Sequence, residues 1–209
     1  WIAPLPLGTA AAPDFIHGLQ IFLGNQAVPD AMASASLLGY TKTEMSRGID
    51  LIQSLTGDHG ALFSLVGTRA GSFGESASLL ILAGGIYLLA TGIITWHTPL
   101  AVLAGIAIPA AIGHAVDPAH YLSVSTHLLS GAAMLGAFFI ATDYVTSPTL
   151  PIGQLIFGIG CGVITMAIRL YGNFPEGVSF AILVMNILTP PINNLANQIM
   201  VRNYERRGQ

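Results

Sequence analysis

Charged residues are scarce in this sequence. Asp, Glu, Lys and Arg make up 8% of its 209 residues, against about 25% in an ordinary soluble domain. Hydrophobic residues make up 53%, and the mean hydropathy is +0.68. This composition excludes a disordered protein and argues against a cytosolic globular domain. The net charge of −3, with no basic stripe, gives no indication of nucleic-acid binding.

Cysteine is nearly absent as well, because Cys161 is the single one in the chain. One thiol cannot close an internal disulfide, and it cannot supply a multi-cysteine zinc or iron–sulfur site. We interpret Cys161, between two glycines, as a small apolar packing residue. The sequence also lacks a Walker A loop, a G-x-S-x-G elbow and an H-E-x-x-H pattern. It therefore predicts no catalytic residue and no metal site.

Charge is also missing in long blocks. Four stretches contain no Asp, Glu, Lys or Arg: 76–116, 118–142, 144–168 and 177–201. A membrane-spanning helix needs about 20 apolar residues, so the first block has room for two spans and each of the others for one. We predict an all-α, polytopic membrane protein with about five membrane-embedded helices.

The blocks predict four spans, at Ser76–Thr95, Pro99–Val116, Gly153–Leu170 and Gly177–Gln198. The second should end at Asp117-Pro118, since proline interrupts a helix. The remaining apolar stretch, Leu122–Ala141, starts beside this proline and contains Ser130-Gly131. It either crosses the membrane fully or enters it as a broken, re-entrant helix.

The rest of the chain divides by charge. Residues 1–59 are expected to form an interfacial and extramembrane segment, 60–201 the membrane domain, and 202–209 a basic tail. Gly60–Thr68 is too short to span and is expected to be a half-helix or a buried turn. Arg202, Arg206 and Arg207 favour a cytoplasmic C-terminus by the positive-inside tendency. The chain begins at Trp1, and we expect an amino-terminal part to precede it.

Three acidic residues stand at the ends of apolar stretches: Glu75, Asp143 and Glu176. An ionisable group at membrane depth is costly and marks a functional site. The same group at a helix end among lipid headgroups is an inexpensive cap. Both interpretations stay open for each residue, and Asp143 and Glu176 are the candidates for an ion pathway.

Five strings between residues 71 and 186 resemble the RnfD/NqrB family. They are GSFGESASLLILAGGIYLL from Gly71, ITWHTPL from Ile94, HLLSGAAMLGAFFIATDYVTSP from His127, GQLIFGIGCG from Gly153 and FPEGVSFAILVMN from Phe174. The resemblance is close over residues 71–192 and looser over 30–70. It is nearer to RnfD, of the Rnf electron transport complex, than to NqrB, of the Na+-translocating NADH:quinone reductase. Full-length members are longer, so the chain looks like one half of their fold.

The resemblance implies electron transfer through a bacterial inner membrane, coupled to movement of Na+ or H+, with other membrane subunits and the lipid bilayer as partners. Family members carry FMN on a threonine in a D-G-x-S-G-A-T-P-L type motif, and a second flavin. The corresponding stretch is Asp30–Leu38 (DAMASASLL), which has Ser36 at the position of the threonine and lacks the glycines and the proline. FMN on Ser36, a non-covalent flavin and the loss of flavin all stay open. The other cofactor-binding candidates are Asp30, Gly71, Gly74 and Glu75.

Three functions are compatible with these observations. The first is a redox subunit of an ion-translocating complex, and the second is a flavin-free structural or accessory subunit of a membrane assembly. The third is a small-solute carrier, because broken helices also suit transport. Flavin content separates the first two, and solute uptake by the chain alone would favour the third. Neither of the first two would be a complete enzyme, because the chain carries no NAD or ferredoxin site.

Overall fold

The computed structural model describes residues 38–39, 78–118, 121–172 and 174–207. These residues are helical, without a strand among them, as the sequence predicts. The helices are α1 Ser78–Ala90, α2 His97–Val116, α3 Val124–Leu129, α4 Ala133–Leu135, α5 Pro151–Tyr171 and α6 Val178–Arg207, and α4 continues into a π-helical turn, Gly136–Ile140. Helices α2, α5 and α6 are long and apolar enough to cross a membrane, and α1 is a shorter apolar helix.

Helices α2 and α5 form the centre of the bundle and run parallel to each other. A β-carbon on Gly158 would lie 2.5 Å from the β-carbon of Ala101, and one on Gly162 would lie 2.5 Å from the carbonyl oxygen of Val102 and 2.6 Å from the α-carbon of Gly105. Later residues of α5 therefore meet later residues of α2. Small side chains let the two backbones approach this closely, as is usual between membrane helices.

Because α2 and α5 are parallel, the chain must run back along the bundle between them. The ring of Tyr121 lies against Gly113 near the end of α2. The hydroxyl of Tyr144 donates a hydrogen bond to the carbonyl of Ile93, just before α2 begins. The stretch Leu122–Ala141 therefore runs antiparallel to α2 along its full length, and it does so as a broken helix.

The break lies at Ser130-Gly131. Ser130 ends α3 in an extended conformation, with φ −101° and ψ 146°. Gly131 follows at φ +68°, in the left-handed region that only glycine enters without strain. The helix resumes at Ala133 and widens into the π turn, where Gly136 leaves room for the side chain of Val178. The Ser-Gly pair thus stops one helix and starts another inside a single crossing.

The outer helices follow the same alternation. Ser78 Oγ donates to the carbonyl of Leu129 at 3.0 Å, and Gly85 faces the ring of Phe138, so α1 runs alongside the broken crossing in the same direction. It is less buried than α2, since Leu80 is 72% exposed.

Helix α6 runs antiparallel to α5. Gly160 faces the side chain of Met185, and the earlier Gly153 faces the later Ala196. The five successive segments, α1, α2, the broken crossing, α5 and α6, therefore alternate in direction. We call the end of the bundle where α5 ends and α6 begins the Arg169 end, and the end where α2 and α5 begin the Asp143 end.

Two predicted boundaries differ from the observed ones by more than two residues. The first span ends at Ala90 rather than Thr95, because Gly92 adopts φ +70° in the turn that follows. The last continues past Gln198 to Arg207 in spite of Pro190 and Pro191. Its 30 residues are about 45 Å long, more than the roughly 30 Å of a hydrocarbon core. The first residues of the predicted basic tail therefore belong to α6.

Candidate functional site

A buried arginine stands near the end of α5. The Arg169 side chain is 2% exposed. Its Nη1 donates to the carbonyl oxygen of His127 at 2.6 Å. Its Nη2 donates to the carbonyl oxygen of Ser130 at 3.1 Å and to Glu176 Oε1 at 3.2 Å. A charge removed from water is tolerated only when it is paired and hydrogen-bonded. We call these four groups the Arg169 site.

The helix break supplies two of the acceptors. The last carbonyl groups of any helix lack donors from within that helix, and α3 ends with Leu129. The carbonyls of His127 and Ser130 belong to its last turn and its C-cap, and both residues are 4% exposed. A cation at a helix C-terminus is stabilised by the helix dipole. Arg169 therefore caps α3 from a neighbouring helix.

The third acceptor reaches the site because of a glycine. A β-carbon on Gly131 would overlap the carboxylate of Glu176. The left-handed turn at the break therefore does two things, since it ends α3 and opens space for this carboxylate. Glu176 is 30% exposed, whereas Arg169 is 2% exposed. Within the Glu176 side chain Oε2 is itself buried, so the carboxylate lies inside the bundle beside the guanidinium.

The two ion-pathway candidates lie at opposite ends of the bundle. Glu176 is at the Arg169 end and ion-pairs with Arg169. Asp143 follows the broken crossing at the other end, and its side chain is exposed. The 21 residues of α5, about 31 Å of helix, separate the two ends. The structure therefore does not bring them together into one site.

Asp143 organises a turn. Its Oδ2 accepts a hydrogen bond from Thr146 Oγ1 at 3.0 Å, and its carbonyl accepts one from Ser147 Oγ at 2.6 Å. Thr189 on α6 donates to the carbonyl of Thr146 at 2.9 Å, which ties the turn to the bundle. Asp143 thus has a capping role at this end, and whether it also conducts ions stays a prediction.

The cofactor-binding candidates lie outside the described residues; they are Ser36, Asp30, Gly71, Gly74 and Glu75. One end of the stretch that resembles the flavin motif is described, however. Leu38 is 5% exposed and packs against Leu122, which is 8% exposed. Leu122 lies just before α3, at the Arg169 end. The end of that stretch therefore lies against the broken crossing.

Sequence reasoning missed Arg169. The signal was available, because Arg169 is a charged residue inside a predicted span, one position before the end of Gly153–Leu170. Its acceptors could not be identified, since the His127 and Ser130 carbonyls are 42 and 39 residues away in sequence. In the described part of the chain, no three His, Cys, Asp or Glu side chains come together. The chemistry of the Arg169 site is that of one guanidinium, one carboxylate and backbone oxygens.

Comparison with known proteins identifies the family. Residues 1–202 match the family described as NQR2, RnfD, RnfE. The chain belongs to this family. The match confirms the resemblance, which is close over residues 71–192 and looser over 30–70, and extends it to residues 1–29 and 193–202.

Individual relatives agree with this assignment. The chain is 45% identical over 195 residues to a subunit of the ion-translocating oxidoreductase complex of Stutzerimonas stutzeri, covering 93% of this chain and 55% of that protein. It is 39% identical to the subunit of the same name from Halorhodospira halophila, over 93% of this chain and 54% of that one. It is also 42% identical to a subunit of the Na(+)-translocating ferredoxin:NAD(+) oxidoreductase complex of Acetobacterium woodii, over 82% and 47%. The chain spans about half the length of the curated relatives it matches.

Proposed function

We propose that this chain is a membrane subunit of an ion-translocating electron transport complex, in which electron transfer through flavin is coupled to movement of Na+ or H+. The observation that carries the proposal is the 45% identity, over 93% of the chain, to a protein named as a subunit of an ion-translocating oxidoreductase complex. The three helices long enough to cross a membrane, with an ion pair at the Arg169 end, are consistent with a subunit that works inside a membrane. Other membrane subunits of the complex are its partners.

The redox group in this proposal is FMN, attached through Ser36. A serine hydroxyl forms the same phosphoester as a threonine. The packing of Leu38 against Leu122 supports a position for this stretch beside the broken crossing. When bound, the flavin supplies the electron-transfer chemistry, whereas the protein supplies its position, its electrostatic surroundings and the exclusion of water.

The proposed location is a bacterial inner membrane, with the C-terminus of α6 on the cytoplasmic side. Arg202 and Arg206 are exposed in the last turns of this helix, and an excess of Arg and Lys marks cytoplasmic ends. In this orientation the Asp143 end faces the cytoplasm and the Arg169 end faces the opposite side. Labelling of single-cysteine variants from each side of intact vesicles, at Asn203 and at Tyr171, tests this orientation.

Intact mass spectrometry tests the flavin. We expect the purified chain to carry the mass of one FMN less one water, on the peptide that contains Ser36. The variant Ser36→Ala should lose the added mass and the flavin fluorescence on a denaturing gel. Ser34→Ala, in the same stretch, should keep both. Fluorescence retained in Ser36→Ala would contradict the attachment, and an unmodified chain without extractable flavin would indicate a structural subunit.

Ion movement is tested in proteoliposomes that contain the complex. We expect uptake of ²²Na+, or acidification reported by a pH dye, only while electrons are supplied to the complex. Uptake that is independent of electron transfer would contradict the proposal. Solute accumulation by the chain without its partners would indicate a carrier instead.

A further inference from the structure

We propose that one face of α6 binds a membrane helix of another subunit. We call it the Pro191 face, and its residues are Ile187, Pro191, Asn194 and Gln198. The backbone carbonyl of Ile187 accepts a hydrogen bond from a hydroxyl or amide side chain on the partner helix. The inference rests on the proposed function, which requires partner subunits, and it names the surface and the chemistry by which one of them is held.

The first argument is a missing donor. In an α-helix each carbonyl accepts a hydrogen bond from the N–H four residues later, and proline has no N–H. Pro190 and Pro191 lie inside α6, so the carbonyls of Asn186 and Ile187 do not receive this bond. Two consecutive acceptors of one membrane helix are thus left without their usual donors.

The second argument is direction. A helix carbonyl points along the axis toward the residue four positions later, here from Ile187 toward Pro191. Ile187 is 72% exposed, and the other three residues of the Pro191 face are exposed as well. The carbonyl of Ile187 therefore lies on this face. Asn186 is half-buried, so its carbonyl lies nearer to the packed side of the helix.

The third argument is depth. The side chain of Met185 lies against Gly160, the tenth of the 21 residues of α5. Ile187 follows two residues later, about 3 Å along the helix, so its carbonyl lies near the middle of the bundle. Hydrocarbon offers no donor at this depth, and an unpaired backbone group there is costly. A lipid chain therefore does not satisfy the Pro191 face.

The fourth argument is that the nearby hydroxyl is already used. Ser and Thr side chains often satisfy the carbonyls that a proline frees in a membrane helix. The Oγ1 of Thr189 donates instead to the carbonyls of Thr146, at 2.9 Å, and Met185, at 3.2 Å. Helix α5 packs against the other side of α6. Side chains of the described residues thus leave the Ile187 carbonyl to a donor from a further helix.

The fifth argument is the kind of partner. Hydrogen bonds from Ser, Thr, Asn and Gln side chains join helices in membranes. Asn194 and Gln198 continue the Pro191 face toward the Asp143 end, and their amides both donate and accept hydrogen bonds. A helix with hydroxyl or amide side chains therefore fits this face better than a wholly apolar one. Helix α6 packs against α5 and the π turn and stands at the edge of the described bundle, which leaves this face to a neighbouring subunit.

The first test is photo-cross-linking of the complex that contains the full-length subunit, in its membrane. The photoreactive residue p-benzoylphenylalanine replaces Ile187. Ile108 on α2 is the matched control position, because it is an apolar residue that is 60% exposed. We expect the Ile187 position to be joined to another subunit, identified by mass spectrometry, and the Ile108 position not to be joined to that subunit. Cross-links from Ile187 only to lipid, to the same chain or to a second copy of it would overturn the inference.

The second test separates the carbonyl from the shape of the helix. The full-length subunit, carrying a fluorescent label, is titrated in detergent micelles with the complex purified without it. Pro191→Ala restores an N–H for the Ile187 carbonyl, so the partner's donor loses its acceptor. Pro190→Ala is the matched control, because it also removes a proline but restores the N–H for Asn186. We expect the association constant to fall about threefold in Pro191→Ala, as for an average hydrogen bond between membrane helices, and to change little in Pro190→Ala.

Two results of the titration would overturn the inference and leave the proposed function intact. One is unchanged binding in Pro191→Ala. The other is an equal loss in the two variants, since the shape of the helix and not the carbonyl would then matter. An unmodified subunit that does not bind the complex at all would overturn the proposed function as well. Neither test needs flavin or electron transfer, so both are separate from the proteoliposome experiment.

Discussion

Arg169 and Glu176 face each other at 3.2 Å across the turn that joins α5 to α6. The pair also reaches a third element, because the guanidinium holds the end of α3 and the carboxylate fills the space beside Gly131. A break in one membrane crossing is thus stabilised by a charge from α5 and a charge from the turn between α5 and α6.

The first prediction concerns the stability of this pair. Replacing Arg169 with Met keeps an apolar stem and removes the charge, together with the hydrogen bonds that the guanidinium donates to two buried carbonyls and a carboxylate. Breaking a buried pair in this way costs about 3–5 kcal/mol, so we expect a clear fall in the thermal unfolding midpoint. Glu176→Gln should cost less, because the amide oxygen still accepts from Nη2 and the side chain is partly exposed. Equal losses in the two variants would contradict this account.

The second prediction compares two glycines with the same backbone conformation. Gly131 and Gly92 have φ +68° and +70°. A β-carbon on Gly92 meets nothing within 4 Å, whereas one on Gly131 overlaps the Glu176 carboxylate. Gly92→Ala should therefore cost only the left-handed strain, about 1–2 kcal/mol. Gly131→Ala should cost more in the free energy of unfolding. Comparable losses by thermal unfolding would show that Glu176 moves aside without penalty.

The third prediction concerns the contact of α2 with α5. A β-carbon on Gly162 would lie 2.5 Å from a backbone oxygen of Val102, whereas one on Gly160 would meet the flexible end of the Met185 side chain. Gly162→Ala must push two helices apart, and such overpacking typically costs about 1–3 kcal/mol. Gly160→Ala should be nearly neutral, since Met185 can change its rotamer. The yield of folded protein in size-exclusion chromatography and its unfolding midpoint check this. A more harmful Gly160→Ala would contradict it.

The fourth prediction concerns Asp143 as an ion-pathway residue. Asp143→Asn keeps an oxygen that can accept from Thr146 Oγ1, so the turn should persist, but it removes the charge. We expect slower ion uptake per electron transferred in proteoliposomes, with an unchanged unfolding midpoint. Thr146→Val tests the turn alone, because it removes the hydrogen bond and keeps the carboxylate. Unaltered ion uptake in Asp143→Asn would leave Asp143 as a turn cap.

Much of the fold could be predicted because each helix carries its own signals. The second span ends at Val116 in both the prediction and the structure, since Asp117-Pro118 cannot continue a helix. The end of the first span could not be predicted as accurately from the sequence. Thr91-Gly92 lies inside an apolar run, and its left-handed turn is decided by how the chain must approach α2. The break at Ser130-Gly131 was visible in the sequence. Whether the broken helix crosses the membrane fully or turns back inside it was not.

In the candidate site, too, residues with a local sequence signal could be predicted, and contacts between distant residues could not. Glu176 was identified from its place at a helix start, a local signal, whereas its partner Arg169 was passed over. The contacts of Arg169 depend on the parallel arrangement of α2 and α5, which brings the end of α3 to the end of α5. No periodicity of hydrophobic residues encodes that arrangement, because it follows from the fit of small residues between whole helices.

The amino-acid sequence by itself determined that this protein lies in a membrane, that it is helical and which family it belongs to. Charge-free blocks of about 20 residues or more can bury their backbone polar groups in a membrane only as helices. Only the tertiary structure decided that the apolar stretch Leu122–Ala141 crosses as two half-helices, and that Glu176 pairs with Arg169 while Asp143 lies at the other end. The reason is physical: hydrophobicity acts on each segment separately, whereas an ion pair between distant residues exists only after packing has set their distance.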